Sequence, residues 1–352
     1  MRRRIFMEWL ERRLPAHESY CVSPEKKNEG WIMTTKIIGT GSCPGERVVT
    51  NDDLAKIVET SDEWISSRTG IKERHLTTGL GTSGMAARAA MLACENAGIR
   101  PDELDLIVMG TSTPEYCFPS GACQVQAAIG AVNAAGFDIS AACSGFVFAL
   151  MTAHSFLKSG MYRNALVIGA DDISKLVDWS DRKTCVLFGD GAGAAVIKAQ
   201  EDGCFEGMMG CDGKKWEVLT CQARSGGNFI TEKKPDLGYI YMDGQEVFKF
   251  AVKKVPECIR QVLDANGVGM EEVRYYILHQ ANERIIDSVA KRLKEPLEKF
   301  PMNIQKYGNT SGASIPILLD EMNREGMLNR GDKIVLAGFG GGLTWGAILL
   351  EW

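Results

Sequence analysis

Gly136-Phe-Asp-Ile-Ser-Ala-Ala-Cys-Ser-Gly-Phe-Val-Phe-Ala-Leu150 passes from a short apolar stretch through small residues into an apolar pattern of helical period. It reads as a strand over 137–140, a turn, and a helix over 143–159. Cys143 then stands at a helix start, where unpaired N–H groups and partial positive charge favour thiolate over thiol and can bind an oxyanion. Ala141, Ala142, Ser144 and Gly145 are small enough to admit a substrate carbonyl. Taken alone, the segment favours a buried structural cysteine, because free Cys is among the most buried residue types. The rest of the chain has to overturn that.

Further strands are expected at 36–39, 104–110, 165–169 and 194–197, and helices at 51–58, 61–67, 83–97 and 122–129, with Ser83 as N-cap and Gly98 as the stop. Such alternation predicts an α/β sheet with helices on its faces. After a polar region at 200–243 the same grammar returns, with helices over 246–265, 283–293 and 314–325 and strands over 275–278, 333–338 and 344–351. The expected organisation is an appendage over 1–32, an N-terminal half over 33–205 carrying the cysteine, and a C-terminal half over 206–352. The two halves are alike in style, without a clear residue-level repeat.

Composition narrows the class. A chain of 352 residues is long enough for two domains or one duplicated one, and 45% hydrophobic with 24% charged residues is ordinary for a globular protein. It has no apolar run of about 18 residues to span a membrane, and Glu8, Glu11, Arg12 and Arg13 break the N-terminal apolar segment, so a cytoplasmic protein without a membrane partner is expected. The net charge of −5 argues against nucleic acid as a partner. Eleven cysteines, an odd number without a Cys-x-x-Cys pair, encode neither a disulfide framework nor a metal site.

Of four histidines, His279 stands apart, at the C-terminal end of the strand Tyr275-Tyr-Ile-Leu278, where open α/β sheets place ligands. Asn309 lies in Tyr307-Gly-Asn-Thr-Ser-Gly-Ala-Ser-Ile-Pro316, which reads as a turn or helix cap but also offers an amide donor whose state does not change with pH. Paired with a neutral imidazole N–H, it could hold a developing enolate oxygen. The glycines of Ala337-Gly-Phe-Gly-Gly-Gly-Leu-Thr-Trp345 precede a strand rather than a helix, which excludes a phosphate loop and predicts a tight hairpin. A backbone N–H there could complete an oxyanion hole.

Ala141-Ala-Cys-Ser-Gly-Phe146, His279-Gln-Ala-Asn282, Gly308-Asn-Thr-Ser311 and Phe339-Gly-Gly-Gly-Leu-Thr-Trp-Gly346 closely resemble the β-ketoacyl-acyl-carrier-protein synthase III family. Thr60-Ser-Asp-Glu-Trp-Ile-Ser-Ser-Arg-Thr-Gly70, Phe118-Pro-Ser120 and Phe188-Gly-Asp-Gly-Ala-Gly193 extend the resemblance from about Thr35 to Trp352. It implies a thiolase-like duplicated five-layer αβαβα sandwich, a homodimer, and initiation of type II fatty acid synthesis. A short acyl group, acetyl above all, would pass from coenzyme A to Cys143 and condense with malonyl-acyl carrier protein as carbon dioxide leaves, with no cofactor beyond these substrates. It further implies Cys143, His279 and Asn309 as catalytic residues, with the N–H groups of Cys143 and Gly341 as oxyanion hole. Thr60, Trp64, Arg68 and Arg182 would bind coenzyme A, Phe118 would limit the acyl pocket, and Lys249, Arg284, Lys291 and Arg292 would dock the carrier protein. Glu283 beside Arg284, where the family commonly has an apolar residue, departs from the pattern. A related ketosynthase of specialised metabolism and a non-catalytic acyl-CoA or carrier-protein binder remain alternatives, the second opposed by the intact Cys/His/Asn set.

Overall fold

A computed structural model describes residues 33–223, 226, 230 and 238–352; the expected appendage over 1–32 lies outside them. The first sheet contains β1 (Thr34–Pro44), β2 (Leu106–Gly110), β3 (Ala135–Ile139), β4 (Asn164–Asp171) and β5 (Gly191–Gln200), in spatial order β1-β5-β4-β2-β3. The second contains β6 (Phe205–Cys211), β7 (Val273–Leu278), β8 (Lys333–Gly340) and β9 (Thr344–Glu351), in order β7-β8-β9-β6. In each sheet parallel strands give way to an antiparallel ladder at the chain's return, and the second order repeats the first without the outermost strand.

The main helices are α1 (Asp62–Thr69), α2 (Gly81–Ala97), α3 (Gly121–Ile129), α4 (Gly145–Lys158), α5 (Gly244–Ala265), α6 (Glu283–Leu293) and α7 (Ser314–Arg324). Helices α4 and α7 lie between the sheets: Phe146, Leu150 and Leu157 of α4 and Ile315, Leu319 and Met322 of α7 share one core with Val108 and Val167 of the first sheet and Leu336 and Ile348 of the second. Helices α2 and α3 cover the outer face of the first sheet, and α5 and α6 that of the second. The result is the expected αβαβα layering. Helices apolar on most sides, such as α4, hold this middle position because each fully buried Leu or Phe contributes about 1.5–3 kcal/mol.

Several local expectations are corrected. Helix α4 begins at Gly145, and Cys143 sits before it in a tight turn, Ala142–Ser144, whose Ala142 has φ 46°. Helix α2 begins at Gly81 without a side-chain cap, and Ser83 is inside it, its N–H and hydroxyl both donating to Glu115 at 2.7 Å. The helix expected over 51–58 stops at Leu54, where bonds from Lys56 and Ile57 to the third residue back replace the helical ladder. β1 runs on to Pro44, well beyond residue 39, because Gly39 and Gly41 let α2 lie on its backbone; a Cβ at either would come within 2.4 Å of a helix backbone atom.

Candidate active site

The duplication sets two similar turns face to face. Ala142–Ser144 leads into α4 and Ser311–Ala313 leads into α7, each turn carrying one non-glycine residue in the left-handed region, Ala142 at φ 46° and Ser311 at φ 52°. Such conformations cost of order 1 kcal/mol each and persist where the surroundings fix them. The Ser311 hydroxyl donates to Cys143 Sγ across this junction at 3.5 Å. One cavity of about 1350 Å³ is lined by Cys143, His279, Asn309, Ser311, Phe339 and Gly341, so the separate motifs converge.

His279 directly follows β7 and is buried, its backbone N–H donating to the Ala337 carbonyl at 2.9 Å and its ring edge-on to Phe339. Nδ1 lies 2.6 Å from Ser314 Oγ, which also accepts the Gln280 N–H at 3.3 Å. With its own proton given to Nδ1, the hydroxyl can hold the neutral tautomer that carries the ring proton on Nε2. Burial pulls the His279 pKa down to about 3, so the ring is a neutral donor at physiological pH.

Asn309 is oriented by similar means. Its Oδ1 accepts the Ser311 N–H at 2.9 Å, which leaves the amide NH₂ for the cavity. Its own N–H donates to the Leu187 carbonyl at 2.9 Å, and its carbonyl accepts the Gly189 N–H at 3.1 Å. The Phe188-Gly-Asp-Gly segment, one of the motifs that carry the resemblance, is therefore the clamp on this residue.

The glycine hairpin between β8 and β9 reaches Cys143. A Cβ on Gly340 would come within 2.7 Å of the Cys143 nitrogen, so only glycine fits there. Thr344, partly buried, lies 3.0 Å from the Ser144 hydroxyl and donates to the Gly341 carbonyl at 3.1 Å, tying hairpin to turn.

The expectation of a depressed Cys143 pKa is corrected. Burial pushes the thiol up to about 11, opposed by the Ser311 hydroxyl and reinforced by the buried Asp171 carboxylate. Cys143 lines the cavity and is only partly buried as a residue, yet desolvation of the thiol outweighs the hydrogen bonds from Ser311 and from its own N–H. Cys143 rests as a thiol.

The residues expected to bind coenzyme A lie just before α1 (Thr60), along it (Trp64 and Arg68) and on the facing loop (Arg182). Arg68 and Arg182 each place a guanidinium 4.6 Å from the Trp64 ring centre, and Arg182 donates to the Glu59 carbonyl at 2.9 Å. The Thr60 hydroxyl is buried without a hydrogen-bond partner among the described residues. Phe118 is 86% exposed, outside the cavity lining of this single chain. Of the basic cluster, Lys249 pairs with Glu246 at 3.0 Å, and Arg284 donates to the Ser67 carbonyl at 2.6 Å, joining α6 to α1. Lys291 and Arg292 are exposed in the last turn of α6. Sequence reasoning missed Ser311, Ser314 and Thr344. The Ser/Thr density of 310–314 was the available signal, and it reads equally as capping chemistry.

Among the described residues no helix is long and apolar enough to cross a membrane, no cluster of ligating side chains could hold a metal ion, and every cysteine is a free thiol. Residues 137–213 match the family described as 3-oxoacyl-[acyl-carrier-protein] synthase III, and residues 263–352 its C-terminal counterpart. β-Ketoacyl-[acyl-carrier-protein] synthase III of Clostridium acetobutylicum is 52% identical over 323 residues, 91% of this chain and 99% of that protein. The same-named protein of Clostridium novyi is 50% identical over 91% of this chain and all of its own length. The crystal structure of 3-oxoacyl-[acyl-carrier-protein] synthase III from Aquifex aeolicus superposes with a TM-score of 0.84 at 51% identity, over 90% of this chain and 100% of the other. With its thiolase-like layering, the chain belongs to the β-ketoacyl-acyl-carrier-protein synthase III family of condensing enzymes, acyltransferases that initiate fatty acid synthesis.

Proposed function

We propose that Cys143 carries a short acyl group, acetyl above all, from coenzyme A to malonyl-acyl carrier protein. In the first step Cys143 Sγ attacks the thioester carbonyl, the N–H groups of Cys143 and Gly341 hold the oxyanion, and coenzyme A leaves as its thiol with the proton from Cys143. In the second, the malonyl carbon–carboxylate bond breaks, carbon dioxide departs, and the electron pair passes through the enolate to the acyl carbon, whose bond to Cys143 Sγ breaks; the β-ketoacyl-acyl carrier protein leaves and the Cys143 thiolate takes a proton from water to return to the thiol. His279 and Asn309 donate to the malonyl thioester oxygen as its negative charge grows. The observation that carries the reading is the pair of anchors: Ser314 on His279 Nδ1 and the Ser311 N–H on Asn309 Oδ1 leave two neutral donors for the cavity that Cys143 also lines.

Trp64, with Arg68 and Arg182 on its ring, suits an adenine and its phosphates, with Thr60 and its unpaired hydroxyl beside them. The carrier protein docks on the face bearing Lys249, Lys291 and Arg292, while Arg284 fixes that face to α1. A second copy pairs along the outer edge of β3, where Tyr116, Phe118 and Val132 are exposed, and Phe118 of one chain then closes the acyl pocket of the other. A bulky residue at that place favours short primers. The test is a pair of half-reactions: His279→Ala and Asn309→Ala are expected to acylate at Cys143 but lose about 10²–10³-fold in malonyl decarboxylation. Loss of acylation alone would contradict these roles.

A further inference from the structure

Behind the Asn309 turn lies a charged residue that the chemistry above does not use. Arg74, in the short strand Glu73–Leu76, is completely buried. One arm of its guanidinium donates to the Val49 carbonyl at 3.2 Å and another to the Val186 carbonyl at 2.9 Å, while Nε has no partner among the described residues. Burial lowers its pKa to about 10, so it remains a cation at neutral pH. An interior charge held only by carbonyls is a poor stabilising device, and an apolar side chain of equal volume would fill the space at less desolvation cost.

Its position shows what it holds. Val186 leads directly into 187–189, the segment that accepts the Asn309 N–H and donates to the Asn309 carbonyl. The aliphatic stem of Arg74 lies under both chains at their crossing, since a Cβ on either Gly189 or Gly308 would come 3.2 Å from Arg74 Cβ. Arg74 thus braces the clamp from one side and the turn from the other, while the backbone of the Cys143 turn is placed by α4 and the glycine hairpin and meets the Asn309 turn only through the long Ser311 hydroxyl contact to Sγ at 3.5 Å.

We infer that Arg74 is a positioning residue that sets the Asn309 amide for the malonyl step and has no part in acylation of Cys143. The inference rests on the donor role proposed for Asn309. The test is a double-mutant cycle with Arg74→Lys and Asn309→Ala, following acylation by intact mass and malonyl-thioester decarboxylation by carbon dioxide release. Arg74→Lys is expected to lower the decarboxylation kcat by about tenfold with KM within about twofold and acylation unchanged, and to add nothing to Asn309→Ala, as coupled residues do. Equal losses in both half-reactions, or additive losses in the double variant, would overturn it. Should Asn309→Ala lose decarboxylation while Arg74→Lys keeps it, only the Arg74 role fails; should Asn309→Ala keep it, the proposed donor fails too. Arg74→Gln, which retains a donor for Val186, is run beside them. Loss of the native near-ultraviolet dichroism in both Arg74 variants would overturn the inference, by making the arginine a stability residue.

Discussion

Ser314→Ala separates a positioned imidazole from one that is merely present. The Ser314 hydroxyl is buried and lies 2.6 Å from His279 Nδ1. It orients the ring and, as a donor to Nδ1, favours the tautomer that leaves a proton on Nε2. A hydrogen bond of this kind contributes a net of about 0.5–1.5 kcal/mol, because folding exchanges it for one with water. Losing about 1.5 kcal/mol of bias toward the productive ring state lowers decarboxylation by about tenfold, since 1.36 kcal/mol is one decade in rate. Deleting the donor itself, as in His279→Ala, costs about 10²–10³-fold. The two variants therefore differ by at least about tenfold in kcat if the bond only orients the ring. The assay is carbon dioxide release from a malonyl thioester at saturating substrate, with acylation of Cys143 followed separately. Because the His279 pKa is held near 3 by burial, neither profile is expected to show a histidine limb between about pH 5 and pH 8. A Ser314→Ala enzyme with the wild-type decarboxylation rate would refute the tautomer assignment, as would one that loses acylation to the same degree.

With a Cys143 pKa near 11, alkylation of that thiol by iodoacetamide is expected to rise about tenfold per pH unit from about pH 6 to pH 9; a plateau in that range would show a stabilised thiolate and contradict the resting thiol. His154, buried between Thr35 and the Phe205 ring, has its pKa lowered from 6.5 to about 4 by burial. Above pH 6.5 it is neutral in both states; below that the unfolded chain gains the proton first, so its contribution falls with pH and costs about 2 kcal/mol by pH 5. His154→Gln should remove this share of the acid sensitivity in urea unfolding, and an equal stability difference from wild type at pH 7 and pH 5 would contradict it.

Periodicity made the alternating strands and helices legible, while the resemblance supplied the five-layer stacking and singled out Cys143, His279 and Asn309, which the structure brings to one cavity. Helices α6 and α7 follow their apolar patterns almost to the residue, and His279 announces itself at a strand end because so few histidines compete. Local rules failed where tertiary contact overrides them. Gly39-Thr-Gly41 has the composition of a turn, yet it is strand, because two missing side chains let α2 rest on the backbone. Ser83 has the chemistry of a cap, but Glu115, distant in sequence, claims it. The Cys143 ionisation was misjudged for a related reason: the turn's N–H groups are local and readable, whereas the desolvation that outweighs them comes from the whole surrounding site. Ser314 was invisible as a partner because nothing local links it to His279, 35 positions away.

The most direct measurement is the intact mass of the protein after exposure to acetyl-CoA, beside Cys143→Ala. The wild type is expected to gain the mass of one acetyl group and to lose it again when malonyl-acyl carrier protein is added, while Cys143→Ala gains none. An adduct retained in Cys143→Ala, or absent from the wild type, would contradict the assignment of Cys143 as the residue that carries the acyl group between its two thioester substrates.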